Sequence, residues 1–359
     1  MKTKQDRKDE ESGGSASSSK ARARIVAKYY RKGTAEIFLA DAQQLYEDWP
    51  RPVVIMVDGP YGVQGFPGDP SSHHALADWY RPHIQAWSRK AVPSTTLWFW
   101  GTEVGWASVH PVFEKNGWEY VACNVWDKGI AHVAGNCNTK TLRRFPVVTE
   151  VCVQYVKPAT FEVGGRFVLM KEWLRWEWQR TGIPLSKTND ICGVRNAATR
   201  KYFTQCDLWY FPPVNAMMKL VEHANQYGSL SGRPYFSLDG ANPLRAKDWS
   251  DMRSKFHLEA GITNVWSEPA LRNGERLRVD SSLGHPNQKP EKLLSRIVRA
   301  SSDPGDIVWE PFGGLCTTAV VCLNSGRRCY SAEILPGYFD LAVARLKGHN
   351  IAGMRRRNV

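Results

Sequence analysis

At 359 residues the chain can hold one large domain or two ordinary ones, each with a sizeable core. Its 42% hydrophobic and 23% charged residues are the mix of a soluble globular protein, and no apolar run reaches the roughly 18 residues that a membrane span needs. A formal net charge of +13, from 48 Lys+Arg against 35 Asp+Glu, favours a polyanionic partner, nucleic acid first.

The N-terminal "MKTKQDRKDEESGGSASSSKARAR" lacks the apolar stretch of a secretory signal and reads as a polar tail over 1–24. "AEIFLADAQQLYEDW" predicts a short strand, a turn and a helical turn, and "RPVVIMVDGPYG" a strand buried on both faces, as in a parallel sheet. A loop from Gly62 to His74 precedes "ALADWYRPHIQAWSRKA", which reads as a helix broken near Pro82. "TTLWFWG" is a second buried strand, "TEVGWASVHPVFEKNG" a Thr-capped helix, and "WEYVACNVWDKG" and "TEVCVQYVKP" two further strands. From Ala159 onward helices dominate, including "VLMKEWLRWEWQRTG" and "NAMMKLVEHANQYG". The α/β alternation then returns with a Pro-started helix from "HPNQKPEKLLSRIVRASSDPG", the strand "DIVWEPFGG", the helix "LCTTAVVCLNSG", the strand "RRCYSAEI" and a last helix. The pattern predicts a doubly wound α/β sheet with a helical insert.

Eight cysteines form no C-x-x-C pair and no cluster with zinc spacing. They are expected to be reduced thiols of a cytoplasmic protein, with no disulfide and no metal.

Two strand ends carry chemistry. "EPFGG" opens a helix whose N-terminus offers unpaired N–H groups, and Glu333 ends the next strand about 20 residues on, the spacing at which an acid holds ribose hydroxyls. Taken alone, that Gly pair also fits a ligand-free turn. In "VDGPYG", Asp58 offers a carboxylate, Gly59 an unshielded carbonyl, Pro60 a stiff turn and Tyr61 a ring. Two acceptors and a stacking face suit the exocyclic amino group of a planar base.

These segments resemble the amino-DNA methyltransferases, which use S-adenosylmethionine to methylate adenine N6 or cytosine N4. "VDGPYG" is similar to that family's Asp/Asn/Ser-Pro-Pro-Tyr motif and "WEPFGG" to its Asp-Pro-Phe-x-Gly-x-Gly loop; "IFLADAQQL" and "HPNQKPEKLLSRIV" resemble flanking motifs. The motif order resembles the β class. The resemblance implies a circularly permuted Rossmann-like fold with a mostly parallel sheet: a catalytic half at 25–158, a helical target-recognition region at 159–283, a cofactor half at 284–349 and a basic tail at 350–359. It implies that Asp58, the Gly59 carbonyl, Pro60 and Tyr61 hold the target base. Pro311, Phe312, Gly313, Gly314 and Glu333 would surround S-adenosylmethionine, with Asp41 near its adenine and Asn287, Gln288 and Lys289 near its methionine end. No metal is implied. Duplex DNA is the implied substrate, with adenine N6 ahead of cytosine N4 because of Asp58; a homodimer and a cognate restriction endonuclease are the other implied partners, in a bacterial or virus-infected cell. Gly59 and Cys316 depart from the motifs, which leaves open a DNA-binding protein with a decayed site. Because the site uses only the carbonyl of residue 59, Gly59→Pro is expected to keep activity.

Within the insert, the segment 185–204, which opens "LSKTNDICGVRNAATRKYF", reads as a helix-turn-helix: Leu185 to Cys192, a turn at Gly193, then Arg195 to Phe203. Arg195, Asn196, Thr199, Arg200 and Lys201 would face DNA, Arg and Asn being suited to guanine and adenine edges.

Overall fold

The structure, a computed structural model, describes residues 28–65, 68–133, 140–271, 276–279, 282–285 and 287–348. Both terminal tails lie outside the described residues. Thirteen strands occur among the described residues. In chain order they are β1 (Lys28–Lys32), β2 (Ala35–Leu39), β3 (Val54–Val57), β4 (Thr96–Gly101), β5 (Glu119–Asp127), β6 (Thr149–Val156), β7 (Thr160–Val163) and β8 (Arg166–Leu169). They continue with β9 (Val265–Ser267), β10 (Arg278–Val279), β11 (Ser282–Leu283), β12 (Ile307–Glu310) and β13 (Arg328–Glu333).

The chain divides into two compact units. The larger comprises the described parts of Met1–Ala91, Thr95–Val156 and Lys255–Val359. It is built on a nine-stranded sheet of order β1-β2-β13-β12-β3-β4-β6-β5-β9. From β2 through β13, β12 and β3 to β4 all pairings are parallel; β6 runs antiparallel to both β4 and β5. The period-2 alternation of the central strands serves two cores. Val54, Met56, Trp98 and Trp100 face one layer with the helices Glu291–Ser301, Thr317–Ser325 and Pro336–Gly348. Ile55, Val57, Leu97 and Phe99 face the other, with the helices His73–Lys90 and Glu103–Lys115. Leu293, Leu294, Ile297 and Val298 form one fully buried stripe, each side chain worth about 1.5–3 kcal/mol of burial.

The expected break at Pro82 does not occur: His73–Lys90 is one helix. Pro82 sits on the exposed face, where water can take the carbonyl it frees, while Tyr80, Ile84 and Trp87 anchor the buried face. Thr102 caps the next helix as expected, accepting from the Gly105 amide.

The smaller unit spans Val92–Ser94 and Lys157–Ser254. The expected end of the insert at 283 is therefore corrected: β9 already belongs to the large sheet, pairing parallel with β5. Its core packs Trp173, Leu174 and Trp178 of the helix Met170–Arg180 against Met217, Leu220 and Val221 of Val214–Tyr227. The β7–β8 hairpin flanks them, and a fully buried Glu177 is held by Arg180, Arg233 and the Phe236 amide.

The expected helix-turn-helix is also corrected. Its first helix is Lys187–Cys192, ended by Gly193 in the left-handed conformation, but the second is a single π-helical turn, Ala198–Tyr202. The Asn189 side chain binds the Ala198 and Thr199 amides and fixes the start of that turn at Ala198. Arg195 and Asn196 thus precede the helical turn and, like Arg200 and Lys201, are exposed; the Thr199 hydroxyl is engaged with Asn189 and Asn196.

Candidate active site

β3 and β12 are adjacent and parallel, with Val54 opposite Val308 and Ile55 opposite Trp309. Their two motifs therefore emerge side by side at the carboxyl edge of the sheet, where doubly wound proteins bind ligands. Between them lies a cavity of about 340 Å³. Asp41, Asp58, Gly59, Pro60, Tyr61, Asn287, Gln288, Lys289, Pro311, Phe312, Gly313, Gly314 and Glu333 all line it.

On the glycine side, a Cβ at residue 313 would lie 2.6 Å from Ser331 Oγ and 2.9 Å from Cys316 Sγ, so no side chain fits there. Gly314 has φ +52° and donates its amide to Glu333 Oε2 at 2.7 Å; the Leu335 amide donates to Oε1 at 2.7 Å. Each Glu333 oxygen keeps a lone pair for a further donor. Burial raises the Glu333 pKa, and those amides partly offset the rise. Cys316 occupies the place of the expected last Gly with φ 51°, a left-handed backbone that costs an L-residue roughly 1–2 kcal/mol. Its buried Sγ lies 3.3 Å from Ser331 Oγ.

Glu310, the last residue of β12, is a ligand-cavity acid that the motif comparison left without a role. It accepts from the Thr318 amide (2.8 Å) and from Ser331 Oγ (2.9 Å). Burial pushes its pKa up to about 7, with the Thr318 and Ser331 bonds opposing the shift. A carboxyl whose folded pKa is raised lends its full stability below the unfolded pKa and loses it as pH rises through the folded value. Glu310→Gln is therefore expected to flatten the pH dependence: between pH 4.5 and 7 the wild type should lose on the order of 3 kcal/mol more than the variant. Denaturant titrations at pH 5 and pH 8 measure this, and parallel slopes for the two proteins would contradict it.

On the acidic side, Asp58 Oδ1 accepts from Lys289 Nζ (2.8 Å) and lies 3.0 Å from the Tyr61 hydroxyl. Among the described residues, neither Asp58 Oδ2 nor the Gly59 carbonyl has a donor; the Pro60 carbonyl takes the Tyr80 hydroxyl at 3.0 Å. The Lys289 side chain is 3% exposed. Its Nζ also reaches the Tyr61 oxygen (3.1 Å) and Glu150 Oε2 (3.3 Å), between the rings of Tyr61 and Trp100. Burial lowers the pKa of this ammonium, but Asp58 and Glu150 outweigh it and the net shift is upward. Glu150 is the converse: burial raises it, and Lys289 and Lys128 carry it below the usual value. Tyr61 is raised well above 10, by burial and then by the charges of Asp58 and Glu150, so its hydroxyl stays protonated.

Sequence reasoning missed Glu150, Lys128, Trp79 and His83. Trp79 and His83 line the cavity beside Phe312, stacked with ring centroids 4.8 Å apart. Burial pushes His83 down to about 4, and its Nδ1 pairs with the Tyr46 hydroxyl at 2.8 Å, so the ring is neutral at physiological pH. The buried-face period of the helix His73–Lys90 was the signal that could have found it. Among the described residues no cluster of His, Cys, Asp and Glu could hold a metal ion.

A glycine turn with a distant acid thus lies beside an Asp-Gly-Pro-Tyr turn on the neighbouring parallel strand of an α/β sheet, and the two share one cavity. Residues 53–344 match the profile of the N6/N4-type DNA methylases, and the chain belongs to that family. It is 46% identical over 83 residues to DNA adenine methyltransferase YhdJ of Escherichia coli (strain K12), covering 23% of this chain and 27% of that protein. It is 41% identical over 85 residues to the Type II methyltransferase M.BglII of Bacillus subtilis, covering 24% and 22%. The chain thus spans about a quarter of the length of these curated relatives. The fold is similar to that of PvuII DNA methyltransferase (cytosine-N4-specific), with a TM-score of 0.53 and 14% identity over 90% of each chain.

Proposed function

We propose that the protein transfers a methyl group from S-adenosylmethionine to adenine N6 of a base turned out of duplex DNA. One observation carries the reading: Asp58 and Gly59, whose Oδ2 and carbonyl have no donor among the described residues, line the same cavity as the Gly314–Glu333 turn. An amino group has two protons for two acceptors, and inside a duplex it is already paired, so the base must leave the stack.

The residues present fit the cofactor. The Glu333 carboxylate suits a ribose diol, and Phe312 and Trp79 give apolar walls. When bound, S-adenosylmethionine supplies the activated methyl group. Asp58 and the Gly59 carbonyl draw the amino protons away, which frees the nitrogen lone pair for attack. The network around Lys289 fixes the direction of the Asp58 carboxylate, so its second oxygen needs no reorganisation. Asp58 is also in position to take the proton that the methylated nitrogen sheds.

Nucleoside mass spectrometry and long-read sequencing of DNA from cells expressing the protein test this. N6-methyladenine in a fixed sequence context is expected. N4-methylcytosine would replace the target base, and unmodified DNA would overturn the reading.

The exposed turn at 195–201 is the proposed DNA contact, with Arg195 and Asn196 reaching base edges and Arg200 and Lys201 the phosphates. Arg195→Ala is expected to relax sequence preference. Lys201→Ala should weaken binding uniformly and reduce the salt slope by about 1. Salt-dependent anisotropy on cognate and scrambled duplexes measures both; equal, sequence-blind losses would remove Arg195 as a reader.

A further inference from the structure

We infer that Glu150, with Lys128 behind it, is a positioning residue for the catalytic carboxylate: it shares the Lys289 ammonium and the Tyr61 hydroxyl with Asp58 and so sets which Asp58 oxygen meets the amino group. This rests on the methyltransferase reading above.

Glu150 lies near the start of β6. Because β6 runs antiparallel to β4 and β5, its first residues reach the carboxyl edge of the sheet, where Asp58 leaves β3. The Lys289 ammonium has three protons and three acceptors: Asp58 Oδ1 at 2.8 Å, the Tyr61 oxygen at 3.1 Å and Glu150 Oε2 at 3.3 Å. The Tyr61 hydroxyl has one proton and two carboxylates in reach, Asp58 Oδ1 at 3.0 Å and Glu150 Oε2 at 3.1 Å. Lys128 binds the other Glu150 oxygen, and its own Nζ is over the Trp126 ring. Two carboxylates and two ammoniums thus alternate, and side-chain exposures of 3%, 12% and 13% for Lys289, Lys128 and Glu150 leave little water to screen them. Asp58, at 27%, is the most exposed of these four charged side chains, and it lines the cavity together with Lys289 and Tyr61.

Glu150 therefore has two effects. It divides the pull of Lys289, so Asp58 is not neutralised by a one-to-one ion pair and stays a good acceptor. It also gives the Tyr61 proton a second resting place, so the hydroxyl can leave Asp58 when Asp58 takes a proton. Without its charge, Lys289 closes on Asp58 alone.

Glu150→Gln keeps the shape and removes the charge. The expected result is a single-turnover rate lower by about 10- to 100-fold, with cofactor affinity by calorimetry and duplex affinity by anisotropy each within about threefold. Glu150→Asp should recover part of the rate. Glu150→Gln combined with Lys289→Met should lose no more than Lys289→Met alone, since residues acting through one partner are not additive. A full-rate Glu150→Gln, strictly additive losses, or a rate loss matched by lost cofactor affinity or thermal stability would overturn the inference. A readout without turnover separates it from failure of the methyltransferase reading: ¹⁵N-lysine NMR should show a slowly exchanging ammonium in the wild type that is missing from Lys289→Met and altered in Glu150→Gln. That signal unchanged in Glu150→Gln would sink the inference even in an active enzyme. Its expected change, in a protein that methylates nothing, would sink the function instead.

Discussion

Asp58→Ala is expected to lower single-turnover methyl transfer by roughly 1,000-fold or more while cofactor affinity changes by less than about threefold. Two losses act together. The amino group loses one of its two acceptors, and removing one preorganised hydrogen-bonding group from an active site costs about 100- to 1,000-fold by itself. Lys289 also loses its nearest counter-charge at 2.8 Å, in a position 3% exposed, and keeps only a Glu150 already shared with Lys128. Leaving a buried ion short of a partner destabilises the fold as well as the reaction. The melting temperature should therefore fall in Asp58→Ala, and by less in Asp58→Asn, whose amide oxygen still accepts from Lys289. Tritium transfer under single-turnover conditions, alongside calorimetry and thermal melts, separates the effects. An Asp58→Ala protein retaining more than about a tenth of the rate would remove Asp58 from the chemistry.

Both chemical turns were legible because each ends a run of apolar residues that only a doubly buried strand explains. "PVVIMV" and "IVW" carry no polar side chain on either face, so the polar and glycine residues that follow must lie at a strand end. Glu150 was not legible. "TEVCVQYV" reads as a strand in either direction, and only the antiparallel pairing of β6 brings its beginning, rather than its end, to the site. Pro82 misled because the local rule against a helical proline is outweighed by the buried face of an 18-residue helix. The second helix of the insert misled in the opposite sense. Its Ala, Arg and Lys suit a helix, but Asn189, nine residues before Ala198, caps the turn late, and Phe203 and Tyr202 are drawn into the core. Propensity is local, and these outcomes were set by partners distant in sequence.

Gly59 carries the other large effect, and here the structure reverses what the motif suggests. If only the carbonyl of residue 59 mattered, Gly59→Pro would be harmless. A Cβ at this position, however, would lie 2.6 Å from Phe312 Cδ2 and 2.6 Å from the Tyr80 hydroxyl. Neither neighbour can yield cheaply. The Tyr80 ring is fully buried and its hydroxyl holds the Pro60 carbonyl, while Phe312 packs against Trp79, Tyr80, His83 and Trp87. Gly59→Ala and Gly59→Pro must therefore displace the turn that aims Asp58, the aromatic wall of the cavity, or both. A shift of about 1 Å at a reacting group costs on the order of 100-fold in rate, so kcat/KM should fall at least that far in both variants. Because Phe312 belongs to the glycine turn, cofactor affinity should fall with the rate, unlike in Asp58→Ala. Adding Tyr80→Phe to Gly59→Ala removes one of the two close contacts and should restore part of both quantities. A Gly59→Pro enzyme with wild-type rate and wild-type cofactor affinity would show that Phe312 and Tyr80 move freely, and that residue 59 contributes its carbonyl alone.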